Sequence, residues 1–168
     1  MASVDVLYDV GATIKAQSAG TGFVIWLHEH KFDAVADFLI AVKMKLSPGI
    51  RWGVNNTRWV TGVSTLSQTP EAFDAYSLAN IAGRIYCDVL ILAGSKDHLV
   101  PAVQVEQFRS SLTHARSVIT VIYDAESGGK DHCQDGAVTL WQQTFFDWIH
   151  NKFEPQKNVQ EKKTPAQL

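Results

Sequence analysis

The clearest apolar pattern in the chain is the continuous run from Val89 to Ala93, which ends at Gly94. A short run of this kind, bounded by a glycine, is typical of a strand buried on both faces of a parallel sheet. Pro101 then suits the first turn of a following helix, so Asp97 falls on the loop between strand and helix. Open α/β sheets build their functional sites at the carboxyl ends of such strands.

The segment after Pro101 completes a strand–helix–strand unit. Val105, Phe108 and Leu112 recur at helical spacing and predict the buried side of a helix. The β-branched residues from Val118 to Ile122 predict a second buried strand, which would run parallel to the first. A glycine-containing loop and a last helix follow, and the predicted inner side of that helix is Leu140, Trp141, Phe145, Trp148 and Ile149.

The first half of the chain has weaker patterns. Val4, Val6 and Tyr8 alternate with other residues and predict a strand within residues 1–11, whereas the apolar run 23–27 fits either a strand or a buried helix. From Phe32 to Ser47 the spacing predicts a helix, and its expected buried stripe is Val35, Leu39, Val42 and Leu46. Residues 50–68 show no clean period and are interpreted as loops and short helices.

The remaining boundaries come from capping and composition. Thr69 is a good N-cap, and a helix is expected from there towards Ile85. From Glu154 onwards the residues are mostly polar or charged, as in disordered segments. The organisation expected is therefore a strand in 1–11, a helical cap region in 12–85, an α/β core in 86–153 and a disordered tail in 154–168.

Composition narrows the class of protein. The chain has 168 residues, a formal net charge of −2 and no basic patch, so one domain is expected and nucleic acid is not an expected partner. Two cysteines, Cys87 and Cys133, give no disulfide framework. The N-terminus lacks the pattern of a signal peptide, and no apolar run is long enough for a membrane span. A cytoplasmic protein without a membrane partner is expected.

One pair of side chains suggests chemistry. Asp97 follows the first strand of the strand–helix–strand unit and His132 follows the second, so both loops should leave the same edge of the sheet. An aspartate that orients a histidine, which then acts as a general base, supplies two thirds of a nucleophilic triad. Loop aspartates and histidines are common in proteins, so the pair alone does not distinguish a triad from unrelated surface residues.

The two loops resemble those of an α/β-hydrolase, in which the chain order is nucleophile, acid, histidine. Residues 94–101, Gly-Ser-Lys-Asp-His-Leu-Val-Pro, resemble the acid loop, and residues 128–134, Gly-Gly-Lys-Asp-His-Cys-Gln, resemble the histidine loop. The form Glu-x-Gly-Gly-x-x-His-Cys-Gln over 126–134 is similar to the branch of 2,6-dihydropseudooxynicotine hydrolases and fungal polyketide-shortening hydrolases. Further similar pieces are Asp-Val-Leu-Tyr-Asp at 5–9, Arg-Trp-Gly at 51–53, Trp-Val-Thr-Gly at 59–62 and Phe-Asp-Trp at 146–148.

This resemblance implies a partial α/β-hydrolase fold: a mostly parallel sheet with a helical cap. It also implies hydrolysis of an ester, thioester or ketonic carbon–carbon bond in a small hydrophobic carbonyl substrate, with no metal or organic cofactor. His132 would be the general base and then acid, and Asp97 its orienting partner. The sequence departs from the family at one point, because it contains no Gly-x-Ser-x-Gly segment for the nucleophile.

Other candidate sites are weaker. His28-Glu29-His30 offers two imidazoles but no further ligand nearby in sequence, so no metal site is expected there. Cys133 is interpreted as a packed thiol at the start of the last helix. Trp52 and Trp59 fit either a core or the lining of a substrate pocket.

A second class of function stays open from sequence. The chain could be a non-catalytic remnant of a hydrolase that binds a partner chain, or itself, through an open edge of its sheet. An in-frame Gly-x-Ser-x-Gly segment in the coding sequence upstream of Met1 would favour the enzyme, and a genuine start at Met1 would favour the remnant.

Overall fold

A three-stranded parallel sheet forms the centre of the computed structural model, which describes residues 1–17 and 20–153. The strands are β1 (Ala2–Val4), β2 (Asp88–Gly94) and β3 (Ser117–Tyr123), in the spatial order β1-β2-β3. Ser3 pairs with Ile91, and Ile91 in turn pairs with Thr120. The protein therefore has an α/β fold with β2 as the central strand, and the expected tail at 154–168 lies outside the described residues.

Helices cover both faces of the sheet. Helix α5 (Ala102–Ser111) lies against the face that carries Val89, Ile91 and Ala93, where Phe108 is fully buried. Helix α6 (Val138–Phe153) covers the opposite face through Leu140, Trp141, Phe145 and Trp148. Because β2 is covered on both sides, its continuous apolar sequence follows from its position, as the sequence predicted.

β3 differs from its prediction. Among the described residues it pairs only with β2, so it is an edge strand. Ile119 and Ile122 point to opposite faces and are both exposed. The expectation that this strand is buried is therefore wrong, since β-branched composition alone does not distinguish an edge strand from a central one.

The segment before β2 forms four helices: α1 (Val10–Gln17), α2 (Thr21–Glu29), α3 (Asp33–Leu46) and α4 (Pro48–Thr61). The apolar run 23–27 thus belongs to a helix rather than a strand. A second, smaller core joins α2 to α3 through Val24, Leu27, Ala36 and Ile40.

The buried side of α3 is not the predicted stripe. Ala36 and Ile40 are buried, whereas Val35 and Val42 are exposed and Leu46 is 80% exposed. Leu39 alone of the predicted stripe packs against the small core. The prediction followed the largest apolar side chains, but close packing of helices favours a face centred on a small residue such as Ala36.

Two further predictions before β2 are wrong. Residues 50–61 belong to α4 rather than to loops and short helices, because the Ser47 hydroxyl caps the helix by accepting from the Ile50 N–H at 3.3 Å. The expected helix from Thr69 to Ile85 is replaced by two short 3₁₀ turns, Thr69–Glu71 and Ala82–Arg84. The Leu78 N–H instead donates to the Tyr8 carbonyl at 2.8 Å, so this segment is tied to the chain after β1.

Within the described part of the chain, no helix has the length and apolar character needed to cross a bilayer.

Candidate functional site

Three loops meet at the carboxyl edge of the sheet, one after each strand. Asp5 follows β1, Asp97 follows β2 and His132 follows β3. The strands are parallel, so their carboxyl ends lie at one edge, where open α/β sheets place their sites. The residues brought together are two carboxylates and one imidazole.

Asp97 and His132 form the contact predicted from the sequence. Oδ2 of Asp97 lies 2.9 Å from Nδ1 of His132, which is a hydrogen-bond distance. Oδ1 of Asp97 accepts the backbone N–H groups of Leu99 at 2.7 Å and Val100 at 2.9 Å. Both carboxylate oxygens are therefore engaged, and the carboxylate cannot rotate without losing these bonds.

The Asp97 side chain is buried, whereas the His132 ring is partly accessible. The Asp97 side chain is 2% exposed, whereas the His132 side chain is 28% exposed. Among the described residues none bonds to Nε2 of His132. A buried carboxylate that holds Nδ1 leaves Nε2 as the ring nitrogen available for proton transfer.

Hydrogen bonds keep Asp97 ionised. Burial of its carboxyl acts to raise the pKa, but the bonds from the Val100 N–H, the His132 ring and the Leu99 N–H outweigh burial, so the pKa is lowered from its usual value. At neutral pH the side chain is therefore a carboxylate. In this form it accepts a hydrogen bond from a protonated Nδ1 and stabilises an imidazolium.

Gly94 allows the histidine loop to approach the end of β2. A Cβ atom added at Gly94 would lie 2.4 Å from the Lys130 carbonyl oxygen and 2.6 Å from that of Asp131. The Lys96 N–H donates to the same Lys130 carbonyl at 2.8 Å. The acid loop and the histidine loop are thus packed backbone against backbone.

Asp5 is a site residue that the sequence does not single out as a candidate. Its side chain is 2% exposed, and Oδ2 lies 3.5 Å from Nδ1 of His132. Oδ2 also accepts the Cys133 backbone N–H, and Oδ1 accepts Nε2 of Gln134 at 3.3 Å. The predicted strand continues through Val6 and Tyr8 and so places Asp5 inside it, whereas β1 ends at Val4 and Asp5 directly follows it.

The backbone at this point adopts an uncommon conformation. Asp5 has φ 48°, Cys133 has φ 53° and Gln134 has φ 51°. A non-glycine residue in the left-handed region costs roughly 1–2 kcal/mol. Such residues persist only where surrounding contacts hold them, and they concentrate at functional sites.

Cys133 is not the packed thiol expected at the start of the last helix. It is exposed and lies in the short 3₁₀ turn His132–Gln134, before α6 begins at Val138. Partial desolvation of the sulfur, which remains despite the exposure of the residue as a whole, and the neighbouring Asp5 carboxylate raise the pKa of the thiol. The thiol form therefore predominates at neutral pH, which argues against Cys133 as a nucleophile.

A metal site was not expected, and the structure offers one candidate set within the described residues. The ligand atoms of Asp5, His132 and Cys133 lie within 4.8 Å of one another. Both Asp5 oxygens already accept hydrogen bonds, from the Cys133 N–H and from Nε2 of Gln134. The Cys133 thiol would have to lose its proton on binding a metal ion.

His28 and His30 are engaged separately from this site. Nδ1 of His28 contacts Asp33, and Nδ1 of His30 bonds to the Trp26 carbonyl at 2.8 Å. The His30 ring also stacks on the Trp26 ring at a centroid distance of 4.3 Å. Both rings therefore have structural partners in or beside α2.

Trp52 and Trp59 lie one above the other on α4, where they line a shallow groove of about 510 Å³. Neither is core, since Trp52 is 71% and Trp59 is 84% exposed. The lining of this groove contains neither Asp97 nor His132. A role for the two tryptophans in substrate binding stays a prediction.

No protein-family model matches the chain, and neither the curated proteins nor the solved structures contain a match. The function is therefore inferred from the geometry of these residues and from the motifs in the sequence.

Proposed function

We propose that this chain carries the acid and histidine portion of a serine-type α/β-hydrolase. The supporting observation is the 2.9 Å contact between Asp97 Oδ2 and His132 Nδ1, with the carboxylate buried and the imidazole partly accessible. The motifs around both residues resemble the acid and histidine loops of that family. The reaction class is hydrolysis of an ester, thioester or ketonic carbon–carbon bond in a small hydrophobic carbonyl compound.

The steps assigned to the chain are proton transfers. Nε2 of His132 takes the proton of a serine hydroxyl while the serine oxygen bonds to the substrate carbonyl carbon. Asp97 stabilises the resulting imidazolium through Nδ1. Nε2 then returns the proton to the leaving group as the bond to the carbonyl carbon breaks, and water repeats the sequence to release the acid.

The serine has to come from a segment outside this sequence, which contains no Gly-x-Ser-x-Gly. Ser95 is on the acid's own loop, two residues from Asp97, and is too near the acid to serve as the nucleophile across His132. We therefore expect no turnover of an activated aryl ester by this chain alone. A fluorophosphonate probe should likewise leave its serines unlabelled.

The decisive test uses the longer chain read from the coding sequence upstream of Met1. We expect an in-frame Gly-x-Ser-x-Gly segment and turnover of an activated aryl ester. His132→Ala and Asp97→Asn should each lower the rate by about 10²–10⁴-fold, the usual contribution of general acid–base catalysis. His114→Ala is the matched control, because His114 bonds to the Gly83 carbonyl and is remote in sequence from both loops.

Two results would contradict this proposal. One is turnover that His132→Ala leaves unchanged. The other is stoichiometric labelling of a serine in the present chain, abolished by His132→Ala, which would show that the chain contains its own nucleophile.

A second candidate function is a binding or self-association module. The observation that favours it is the number of large apolar side chains left exposed on several helices, including Phe38, Leu46, Trp59 and Phe146. Exposed apolar side chains that lie together commonly mark an interaction site. Phe23, Trp26 and Phe32 form such a group, since all three are exposed and the Trp26 ring stacks with both phenylalanine rings. A genuine start at Met1, together with self-association in light scattering and no activity of any longer chain, would favour this function.

A further inference from the structure

Within the described part of the chain, the hydrogen bonds and the ion pair of the Asp5 carboxylate are all with the histidine loop. Oδ2 accepts the Cys133 backbone N–H, Oδ1 accepts Nε2 of Gln134 at 3.3 Å, and Oδ2 lies 3.5 Å from Nδ1 of His132. Burial of a charged side chain is unfavourable unless hydrogen bonds compensate for the lost water. At 2% exposure, Asp5 therefore depends on these contacts, and the loop depends on Asp5.

The two residues that bond to the Asp5 carboxylate directly follow His132 in the chain. These residues, Cys133 and Gln134, both have left-handed backbone conformations. Gln134 is fully buried, and its Oε1 has no hydrogen-bond partner in the described part of the chain. Reversal of this amide would point Oε1 at the Asp5 carboxylate, so Asp5 also fixes the orientation of Gln134.

The distances separate the roles of the two carboxylates. At 2.9 Å, Asp97 is within normal hydrogen-bond range of Nδ1, whereas Asp5 at 3.5 Å is at its limit. Asp97 is thus the direct partner of the ring. Asp5 acts on the ring through the backbone that carries it.

We infer that Asp5 is a positioning residue for His132. Its carboxylate holds the Cys133–Gln134 turn so that Nδ1 of the imidazole meets Asp97 and Nε2 stays accessible. The consequence for catalysis rests on the proposed function, but the positioning itself can be measured on this chain.

The test compares the ¹⁵N-labelled chain with its Asp5→Asn variant by NMR. In the wild type we expect a protonated Nδ1 signal from His132 and a backbone amide of Cys133 that is protected from exchange. Asn at position 5 keeps the size of the side chain and one acceptor oxygen but loses the charge. Exchange of both protons should rise by about tenfold or more, as expected for loss of a charge-assisted hydrogen bond.

Asp124→Asn is the matched control. Asp124 also caps a turn, by accepting the Ser127 N–H at 2.9 Å, and it lies in the same loop between β3 and α6 without contact to His132. We expect it to leave the His132 and Cys133 signals as in the wild type. Amide signals from β2 confirm in each variant that the sheet is intact.

The outcomes separate this inference from the proposed function. If Asp5→Asn keeps both exchange rates at wild-type values, Asp5 is not a positioning residue. If Asp5→Asn does not fold, the exchange of the Cys133 amide is measured in the wild-type chain alone. An unprotected amide there overturns the inference, and a protected one supports it. If Asp97→Asn leaves the His132 Nδ1 signal unchanged, the proposed catalytic pair fails, while the Cys133 amide still reports on Asp5.

Discussion

Replacing Gly94 with alanine should disrupt the contact between the acid loop and the histidine loop. The added Cβ would lie 2.4 Å from the Lys130 carbonyl oxygen, 2.6 Å from that of Asp131 and 2.7 Å from the Lys130 carbonyl carbon. Favourable contacts between non-bonded carbon atoms lie near 3.5–4.0 Å, so relief requires a shift of about 1 Å. All three obstructing atoms are backbone, and no flexible side chain can absorb the shift.

The cost of such overpacking is typically about 1–3 kcal/mol in free energy of unfolding. For a domain of this size, that loss corresponds to a fall of roughly 2–12 °C in the melting temperature. The histidine loop is the element that must move, so the bond between His132 Nδ1 and Asp97 should lengthen from its 2.9 Å. Thermal unfolding measures the first effect, and the His132 Nδ1 signal in NMR measures the second.

Gly53→Ala is the control for this substitution. Gly53 lies inside α4, and a Cβ atom there would meet nothing within 4 Å. Alanine in an open helical position should stabilise the protein by roughly 0.5–1 kcal/mol. If Gly94→Ala unfolds at the wild-type temperature with an unchanged His132 signal, the close approach at Gly94 is not required and this reasoning fails.

Three further predictions concern the acid, the core and the surface. The lowered pKa of Asp97 means that its contribution to stability is complete above the unfolded value of about 3.9 and is lost as the pH falls below it. In urea denaturation, the stability difference between the wild type and Asp97→Asn should therefore narrow below about pH 4; a constant difference would contradict it. Ile91→Ala, in the fully buried strand, should cost about 2–5 kcal/mol, whereas Ile122→Ala at the exposed edge should change stability by less than about 0.5 kcal/mol. Light scattering should show self-association of the chain through its exposed apolar surface, and a monodisperse monomer at high concentration would argue against it.

The strand–helix–strand unit β2–α5–β3 was predictable because the pattern that defines it lies within one continuous stretch of sequence. A strand covered on both faces has to be apolar throughout, and 89–93 is such a run. The parallel strand–helix–strand unit then places the loops after β2 and β3 at one edge, which is enough to bring Asp97 and His132 together. The predicted pairing of these two side chains is confirmed by their 2.9 Å contact.

The helices before β2 were less predictable, for two different reasons. α4 packs on the small core through Val54, but the half-buried positions beside it are Gly53 and Thr57, so its inner side does not stand out as a stripe of large apolar residues. The segment 69–85 has helical composition, but its backbone bonds to the chain after β1, including the Val10 N–H to the Tyr76 carbonyl at 3.1 Å. Such a tertiary hydrogen bond overrides a weak local preference for helix.

The role of Asp5 depends on the order of the strands. β1 and β3 lie on opposite sides of β2, about 9–10 Å apart at the usual strand spacing. The histidine loop after β3 can reach the residue after β1 only by crossing the carboxyl end of β2, where Gly94 has no side chain. The position of His132 therefore depends on three features together: the strand order, the glycine at the crossing and the acid after the short β1. A substitution of Gly94 or of Asp5 should displace His132. No single stretch of sequence contains it, since Asp5 and Cys133 are 128 positions apart.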